Sequence, residues 1–432
     1  MASTTSYFRH QAVIFIAMYL GYALYSATRK SFTYVMPYII EEREVSKSDL
    51  GLIISSQTFA YGISKFISGV FVDRLSPRLM FSFGLFFCGV ANLVFPAFEA
   101  ISAYALLWFV NGIAQGFGWP ACGKILKQWF TPAQLGTYWS LLSTSTNVAG
   151  VLSPVVSTII AAFYDWRLCL QIQGALAVIL SFLCFFMITN SPNDVGLENV
   201  ITDTGDKVKS EKGKEKGTDT MSDLLASPFM WVISILFALV FGVTTGCTDW
   251  SSLYLIQEKR MTAELASGFA SALQIGAVIG SIAAGYLTDI QMAKHGIQSH
   301  GSARYPLLTS FMLLLTISLH LLVYWTDEHS PQYWLLFIGF IIGNCTFGSV
   351  SLFGVLAIEH SPTHLSGSAH AIAALGANVG GVLAGLPLSY VANDYGWSGA
   401  FLIMEITSAI CLLILVLTWS MPSKIGKRLK KE

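Results

Sequence analysis

Twelve stretches of this chain are each long and apolar enough to cross a bilayer as a helix. A crossing takes roughly 20 mostly apolar residues, and hydrocarbon tolerates no unpaired backbone polar group, so such runs must be helical. Six lie near 11–40, 51–72, 79–98, 103–123, 138–163 and 169–189. Six more lie near 228–252, 266–288, 305–325, 333–358, 367–391 and 398–420. The expected fold is therefore all-α: a polytopic membrane protein with 12 transmembrane helices in two six-helix bundles. Composition agrees, since charged residues are 12% of the chain against about 25% in soluble domains. That deficit excludes a soluble globular domain and a disordered chain alike. Lys+Arg and Asp+Glu balance at 25 each, so no field attracts nucleic acid.

The expected domains are an N-terminal bundle at 1–189, a polar linker at 190–227 and a C-terminal bundle with its tail at 228–432. The linker carries Lys207, Lys209, Lys212, Lys214 and Lys216 and reads as solvated chain. Of the 25 Lys and Arg, 17 fall on the side of the termini and linker, 5 on the other side and 3 inside spans. The positive-inside rule then puts both termini in the cytoplasm. The first span has no small-residue cleavage site after it and reads as a retained anchor. The seven cysteines are scattered singly, without CxxC or Cys/His clusters, so neither a disulfide framework nor a metal or cofactor is indicated.

The halves repeat one another weakly. Gly69-Val-Phe-Val-Asp73 and Gly285-Tyr-Leu-Thr-Asp289 stand 216 residues apart, after spans 2 and 8. Asn147-Val-Ala-Gly-Val-Leu152 and Asn378-Val-Gly-Gly-Val-Leu383 stand 231 apart, in spans 5 and 11. Thr131-Pro132 and Ser361-Pro362 end spans 4 and 10. Three matches in one order point to two parallel repeats with a substrate path between them. Gly112, Gly116 and Gly118 in span 4, and Gly376, Gly380, Gly381 and Gly385 in span 11, suit close helix packing.

Three cations fall inside spans: Arg29, Lys30 and Lys65. A Lys or Arg at a span centre costs about 2.5–3.5 kcal/mol, so each needs a partner or a wet cavity. Helical spacing sets Tyr22, Tyr25, Ser26, Arg29 and Thr33 on one face. Hydroxyls beside a guanidinium read as a cavity lining, and the planar guanidinium fits phosphate in two-point contact. The structural alternative pairs Arg29 with backbone carbonyls or with Glu405, the one acid deep in span 12. Lys30 points about 100° from Arg29, toward the cavity edge or a neighbouring helix. Lys65 lies about two turns from the cytoplasmic end, where a substrate or gating role competes with snorkelling. His370 shares span 11 with Asn378 and titrates near neutrality, as phosphate does. His320, without polar company in the sequence, reads as structural.

Several segments together resemble known families. Gly69-Val-Phe-Val-Asp73-Arg74-Leu-Ser-Pro-Arg78 resembles the loop 2–3 signature of the major facilitator superfamily. That resemblance implies the family's two pseudo-symmetric bundles and a gating role for Asp73, Arg74 and Arg78. The second copy keeps Gly285 and Asp289 but has Ile290 where an arginine stands in the signature, which leaves the Asp289 latch without that cation. Tyr25-Ser-Ala-Thr-Arg29-Lys30-Ser-Phe-Thr-Tyr-Val-Met-Pro37, Ser64-Lys65-Phe66, Gly116-Phe-Gly-Trp119-Pro120-Ala-Cys-Gly-Lys124 and Asp249-Trp250 resemble signatures of the organophosphate:phosphate antiporters. Gly242-Val-Thr-Thr-Gly-Cys-Thr-Asp249-Trp250, Gly280-Ser-Ile-Ala-Ala-Gly-Tyr-Leu287 and His370-Ala-Ile look most like the family's animal glucose-6-phosphate branch in the endoplasmic reticulum.

The resemblance implies antiport of glucose 6-phosphate against inorganic phosphate by alternating access, in the membrane of the endoplasmic reticulum. It also implies coupling to a lumenal glucose-6-phosphatase. Arg29 is then the phosphate anchor, with Trp119 and Asn147 the first candidates to meet the sugar. Two departures stand out. Thr244 occupies the place, five residues before Asp249, where the family commonly has a second cation. Thr146 replaces a histidine that some antiporters carry before the Asn147-Val pair. Glycerol 3-phosphate or another sugar phosphate fits the Arg29 chemistry equally well, and a sensor that does not transport is a further alternative. A membrane phosphatase is disfavoured: the outward loops hold His329 beside Asp327 and Glu328, with no paired histidine or arginine cluster.

Overall fold

The computed structural model describes residues 2–71, 75–130, 132–198, 221–295, 300–361 and 366–423, and the regular structure among them is helical. The first unit is built on α1 (Ala2–Glu42), α2 (Lys47–Phe71), α3 (Pro77–Val94), α4 (Ile101–Gln115), α5 (Gly118–Trp129), α6 (Pro132–Phe163) and α7 (Trp166–Met187). The second holds α8 (Met221–Leu225), α9 (Pro228–Gln257), α10 (Ala263–His295), α11 (Tyr305–Tyr324), α12 (Gln332–Glu359), α13 (Ser366–Leu383) and α14 (Leu386–Leu417). Ser46–Gly51, around the first turn of α2, clusters with the second unit. By length and composition the described residues contain nine stretches able to cross a membrane, the longest covering Ser368–Leu417 over 50 residues. Large apolar side chains such as Phe182, Phe186 and Ile282 point outward, as a lipid-facing surface requires and a water-facing one discourages.

Helix ends follow local chemistry. Ser76 caps α3 by accepting from the Leu79 amide, and Pro77 fills the first helical position, where no amide partner is needed. Asp165 caps α7 by accepting from the Arg167 amide at 3.2 Å. The other end of α1 is tied to α7: Trp166 Nε1 and Arg167 Nη1 each donate to Glu42 Oε2 at 2.7 Å.

Several observed helices depart from the expected spans, and four departures have a visible local cause or partner. α1 begins at Ala2, ahead of the expected start at 11, because its first turns have packing partners: His10 stacks on Trp129, and Gln11 Nε2 donates to the Trp129 carbonyl at 2.7 Å. The expected run 103–123 is split into α4 and α5 at Gly116–Phe117. Pro120 has no amide to give the Gly116 carbonyl. Ser68 of α2 supplies the donor from its hydroxyl at 2.6 Å. The expected run 367–391 breaks at Ala384–Gly385, ahead of Pro387, where Trp250 Nε1 of α9 donates to the Ala384 carbonyl at 2.7 Å. α14 then carries a kink at Gly396, whose φ of 76° lies in the left-handed region that glycine adopts most easily.

Without a hydrophobic driving force between helices in lipid, close approach must come from small residues. A Cβ on Gly116 would sit 2.7 Å from the Lys65 amide nitrogen, so α4 and α2 touch backbone to backbone there. Gly380 meets the Ala238 carbonyl in the same manner, joining α13 to α9. Of the glycines singled out in spans 4 and 11, Gly112, Gly116, Gly118, Gly376 and Gly380 thus lie against neighbouring helices.

Candidate functional site in the first unit

Arg29 sits deep in α1 with Tyr22 two turns before it. The Tyr22 ring packs against Trp119 of α5, with centroids 4.9 Å apart, and against Tyr25 at 5.8 Å. Tyr25 is spent on the scaffold: it is buried, and its hydroxyl donates to the Phe81 carbonyl at 2.7 Å. Gln115 and Asn92 brace the same stretch of α1. Gln115 Nε2 donates to the Tyr25 carbonyl at 2.7 Å, and Asn92 Nδ2 to the Thr28 carbonyl at 3.2 Å. The polar face expected on α1 therefore divides: Tyr25 serves packing, as Thr28 and Ser31 outside that face also do, Ser26 and Thr33 are buried, and Tyr22 and Arg29 lie toward Trp119 and α2.

The residue that joins the cations is Tyr61. Arg29 Cζ lies 5.5 Å from the Tyr61 ring centroid, and Lys65 Nζ lies 5.5 Å from the same ring. One aromatic ring thus lies close to two cations, and its quadrupole attracts each of them. Arg29 Nε has no hydrogen-bond partner among the described residues. Among the described residues no carboxylate forms an ion pair with either Arg29 or Lys65; the ion pairs found lie elsewhere. A guanidinium with a free donor, an exposed ammonium at the same ring and no counter-ion among the described residues form a site for a small dianion. Tyr61 was not among the residues picked from the sequence. It stands four before Lys65, and that helical spacing was the signal available.

The other candidates take different places. Lys30 is half-buried and engaged with a neighbour. Asn147 is half-buried on α6. In the second unit Thr244 is buried, and its hydroxyl donates to the Val240 carbonyl of its own helix at 2.8 Å. His370 is exposed on α13, with Nδ1 3.4 Å from the Gly354 carbonyl, and Asn378 is half-buried two turns further on. Asp73 and Arg74 lie outside the described residues. Arg78 lies over the Phe185 ring at 4.9 Å, and its amide donates to Asn190 Oδ1 at 3.0 Å.

Two expectations in the second unit are corrected. Asp289 does not lack a cation: Arg304, at the head of α11, supplies it. Arg304 Nη2 donates to Asp289 Oδ1 at 2.9 Å, Nε donates to Glu359 Oε2 at 2.8 Å, and Nη1 donates to Thr288 Oγ1. The Arg304 side chain is only 4% exposed, and its bonds to two carboxylates push its pKa above the ordinary arginine value. This cluster ties the end of α10, the start of α11 and the end of α12. Counting forward from Asp289 to Ile290 missed the arginine at the head of α11. His320, too, has polar company. Its Nδ1 lies 3.0 Å from Glu405 Oε1, so Glu405 is engaged within the second unit.

Residues 18–385 match the model of the Major Facilitator Superfamily. The chain is 32% identical over 424 residues to a probable hexose phosphate transport protein of Chlamydia trachomatis, covering 94% of this chain and 90% of that one. It is 30% identical over 408 residues to the membrane sensor protein UhpC of Escherichia coli K12, covering 93% and 91%. Its fold is similar to that of a bacterial homolog of the human lysosomal transporter Spinster, with a TM-score of 0.78, 11% identity and coverage of 96% and 98%.

Proposed function

The chain belongs to the organophosphate:phosphate antiporter family of the major facilitator superfamily, and from that premise we propose that it exchanges glucose 6-phosphate for inorganic phosphate across the membrane of the endoplasmic reticulum. The observation that carries the reading is the Arg29–Tyr61–Lys65 cluster, two cations at one aromatic ring that no carboxylate among the described residues pairs with. Inorganic phosphate and a phosphate monoester present the same dianion to it, which is why one site serves both partners of an exchange. The relatives' organic-phosphate chemistry agrees with that anion. Tyr22 and Trp119 place aromatic surface beside the anchor, suited to the apolar face of a sugar ring. Choice of glucose 6-phosphate rests on the resemblance of the second-half segments around Asp249, Gly280 and His370. The same resemblance supports entry into the lumen and a link to a lumenal glucose-6-phosphatase. Exposure of the site alternates between the two sides, driven by differential affinity of the two states for the anion.

The test is phosphate self-exchange in liposomes, challenged with a panel of organic phosphates. The expected result is inhibition by glucose 6-phosphate at concentrations at least tenfold below those needed of glycerol 3-phosphate. Stronger inhibition by glycerol 3-phosphate contradicts the assignment of the sugar while leaving phosphate exchange in place. The likeness to UhpC favours a second reading, a sensor that binds an organic phosphate and does not move it. Binding by calorimetry without any exchange is the outcome that supports it.

A further inference from the structure

Gln57 stands in α2 one turn before Tyr61 and two before Lys65, and it is 7% exposed. Hydrogen bonds to α4 and its cap fix how α2 is turned on either side of it. Ser56 Oγ donates to the Ala105 carbonyl at 3.0 Å, Ser64 Oγ to the Ile113 carbonyl at 2.5 Å and Ser68 Oγ to the Gly116 carbonyl at 2.6 Å. Ala60 belongs to the same row, since a Cβ on Gly112 would sit 2.9 Å from its methyl. The row 56, 60, 64 and 68 therefore runs along α4. The neighbouring row, 57, 61 and 65, lies one position or about 100° around the helix. At Tyr61 and Lys65 that row carries the contacts with Arg29 described above, and Gln57 continues it toward the start of α2. Among the described residues neither end of the Gln57 amide is bonded: Nε2 is enclosed, while Oε1 is not. An amide held this way forgoes bonds that water supplies, and packing alone is served better by leucine or methionine.

We propose that Gln57 binds a hydroxyl group on the organic part of the substrate, so that it selects among organic phosphates and takes no part in holding inorganic phosphate. The inference rests on the exchange reading of the Arg29–Tyr61–Lys65 anchor. Length decides which end of the substrate it meets. Four helical residues rise about 6 Å, and long side chains lean toward the start of their own helix. The Gln57 amide is therefore about one turn beyond the Tyr61 ring, on the side away from Lys65. A phosphate ion seated at the anchor is too small to span that turn, whereas the carbon chain of a sugar phosphate is long enough. Chemistry points the same way. The amide has both donors and an acceptor, and so does a sugar hydroxyl, which answers it in either orientation that the amide adopts. A phosphate dianion only accepts, and answers one. A polar group built for a hydroxyl also rejects analogues without it, because the amide is then left unpaired.

The test compares the wild type with Gln57→Met, which keeps the unbranched shape and removes the amide. Phosphate self-exchange in liposomes is competed with glucose 6-phosphate and with hexyl phosphate, a monoester of the same carbon number without the hydroxyls. In Gln57→Met the KM for phosphate stays within about twofold of wild type, while the inhibition constant of glucose 6-phosphate rises about three- to tenfold, the scale of one neutral hydrogen bond. Hexyl phosphate inhibits the variant at least as well as the wild type. A parallel rise for phosphate and glucose 6-phosphate overturns the inference, and so does an unchanged constant for glucose 6-phosphate. Equal weakening of both organic phosphates overturns it as well, because the lost contact is then not to a hydroxyl. Melting in detergent is the second readout. Gln57→Met melts no lower than the wild type, since an unbonded amide is removed; a clear fall shows a structural partner for the amide and overturns the inference. A wild type that exchanges no phosphate contradicts the exchange reading instead. Calorimetric binding of the two organic phosphates to both proteins then decides by the same split, and binding of neither overturns both. Gln57→Leu takes the place of Gln57→Met if the latter does not fold.

Discussion

At the scale of single residues, the site is built from groups whose cost in a membrane is high and whose alternatives are closed off. Arg29 cannot be neutralised by a carboxylate of its own surroundings, because the acids of the first six spans stand at their ends. It is held instead by Tyr61 and left with a free Nε donor. Arg29 and Lys65 were legible from the sequence, since charge inside an apolar run is visible without coordinates. Tyr61 was harder to see, because one tyrosine among 17 is unremarkable until the ring is found under two cations. Tyr61→Phe keeps the ring and removes the hydroxyl. If the hydroxyl contributes to anion binding, the expected result is a three- to tenfold rise in apparent KM for phosphate, on the scale of about 1 kcal/mol for one polar interaction, with kcat little changed. Initial rates of exchange against substrate concentration measure it. A variant with unaltered KM shows the hydroxyl to be idle and leaves the ring face as the whole of the Tyr61 contribution.

At the scale of elements, the helix breaks were the least legible feature. Hydropathy marks where a chain is apolar, but α4 to α5 and α13 to α14 remain apolar across their interruptions. Pro120 and Pro387 stand just past the two interruptions. What makes each tolerable is a donor on another helix, Ser68 in one case and Trp250 in the other. Such a partner is invisible to any window on the sequence. The Arg304 brace was missed for the same reason, since its arginine lies fifteen residues past Asp289, on another helix's head. By contrast, close packing at Gly116 and Gly380 followed from the small-residue pattern alone. Trp250→Phe preserves most of the aromatic volume and strands the Ala384 carbonyl. The expected cost is about 1–3 kcal/mol, the penalty of a buried acceptor left unsatisfied. It is read as a lowered melting temperature in detergent, larger than that of Trp231→Phe, whose indole donates to the Leu225 carbonyl at an exposed position. Equal shifts for the two variants contradict the role given to Trp250.

At the scale of the whole molecule, the count of apolar runs and the weak internal repeat pointed to an all-α, polytopic fold, and the likeness to transporters of the superfamily agrees. The reason is that a bilayer leaves a chain few choices: every span must satisfy its own backbone, and charge must sit at the ends or in a cavity. Substrate choice is a subtler matter, because it turns on a few side chains around a phosphate site that many organic phosphates share. The most direct measurement is uptake of radiolabelled glucose 6-phosphate into liposomes loaded with phosphate, run in parallel on the wild type and on Arg29→Ala. The expected result is uptake by the wild type that depends on internal phosphate, with a loss of at least a hundredfold in Arg29→Ala, on the scale of about 3 kcal/mol for an unanswered phosphate charge. Wild-type uptake that Arg29→Ala retains in full would make the arginine structural and contradict the phosphate anchor.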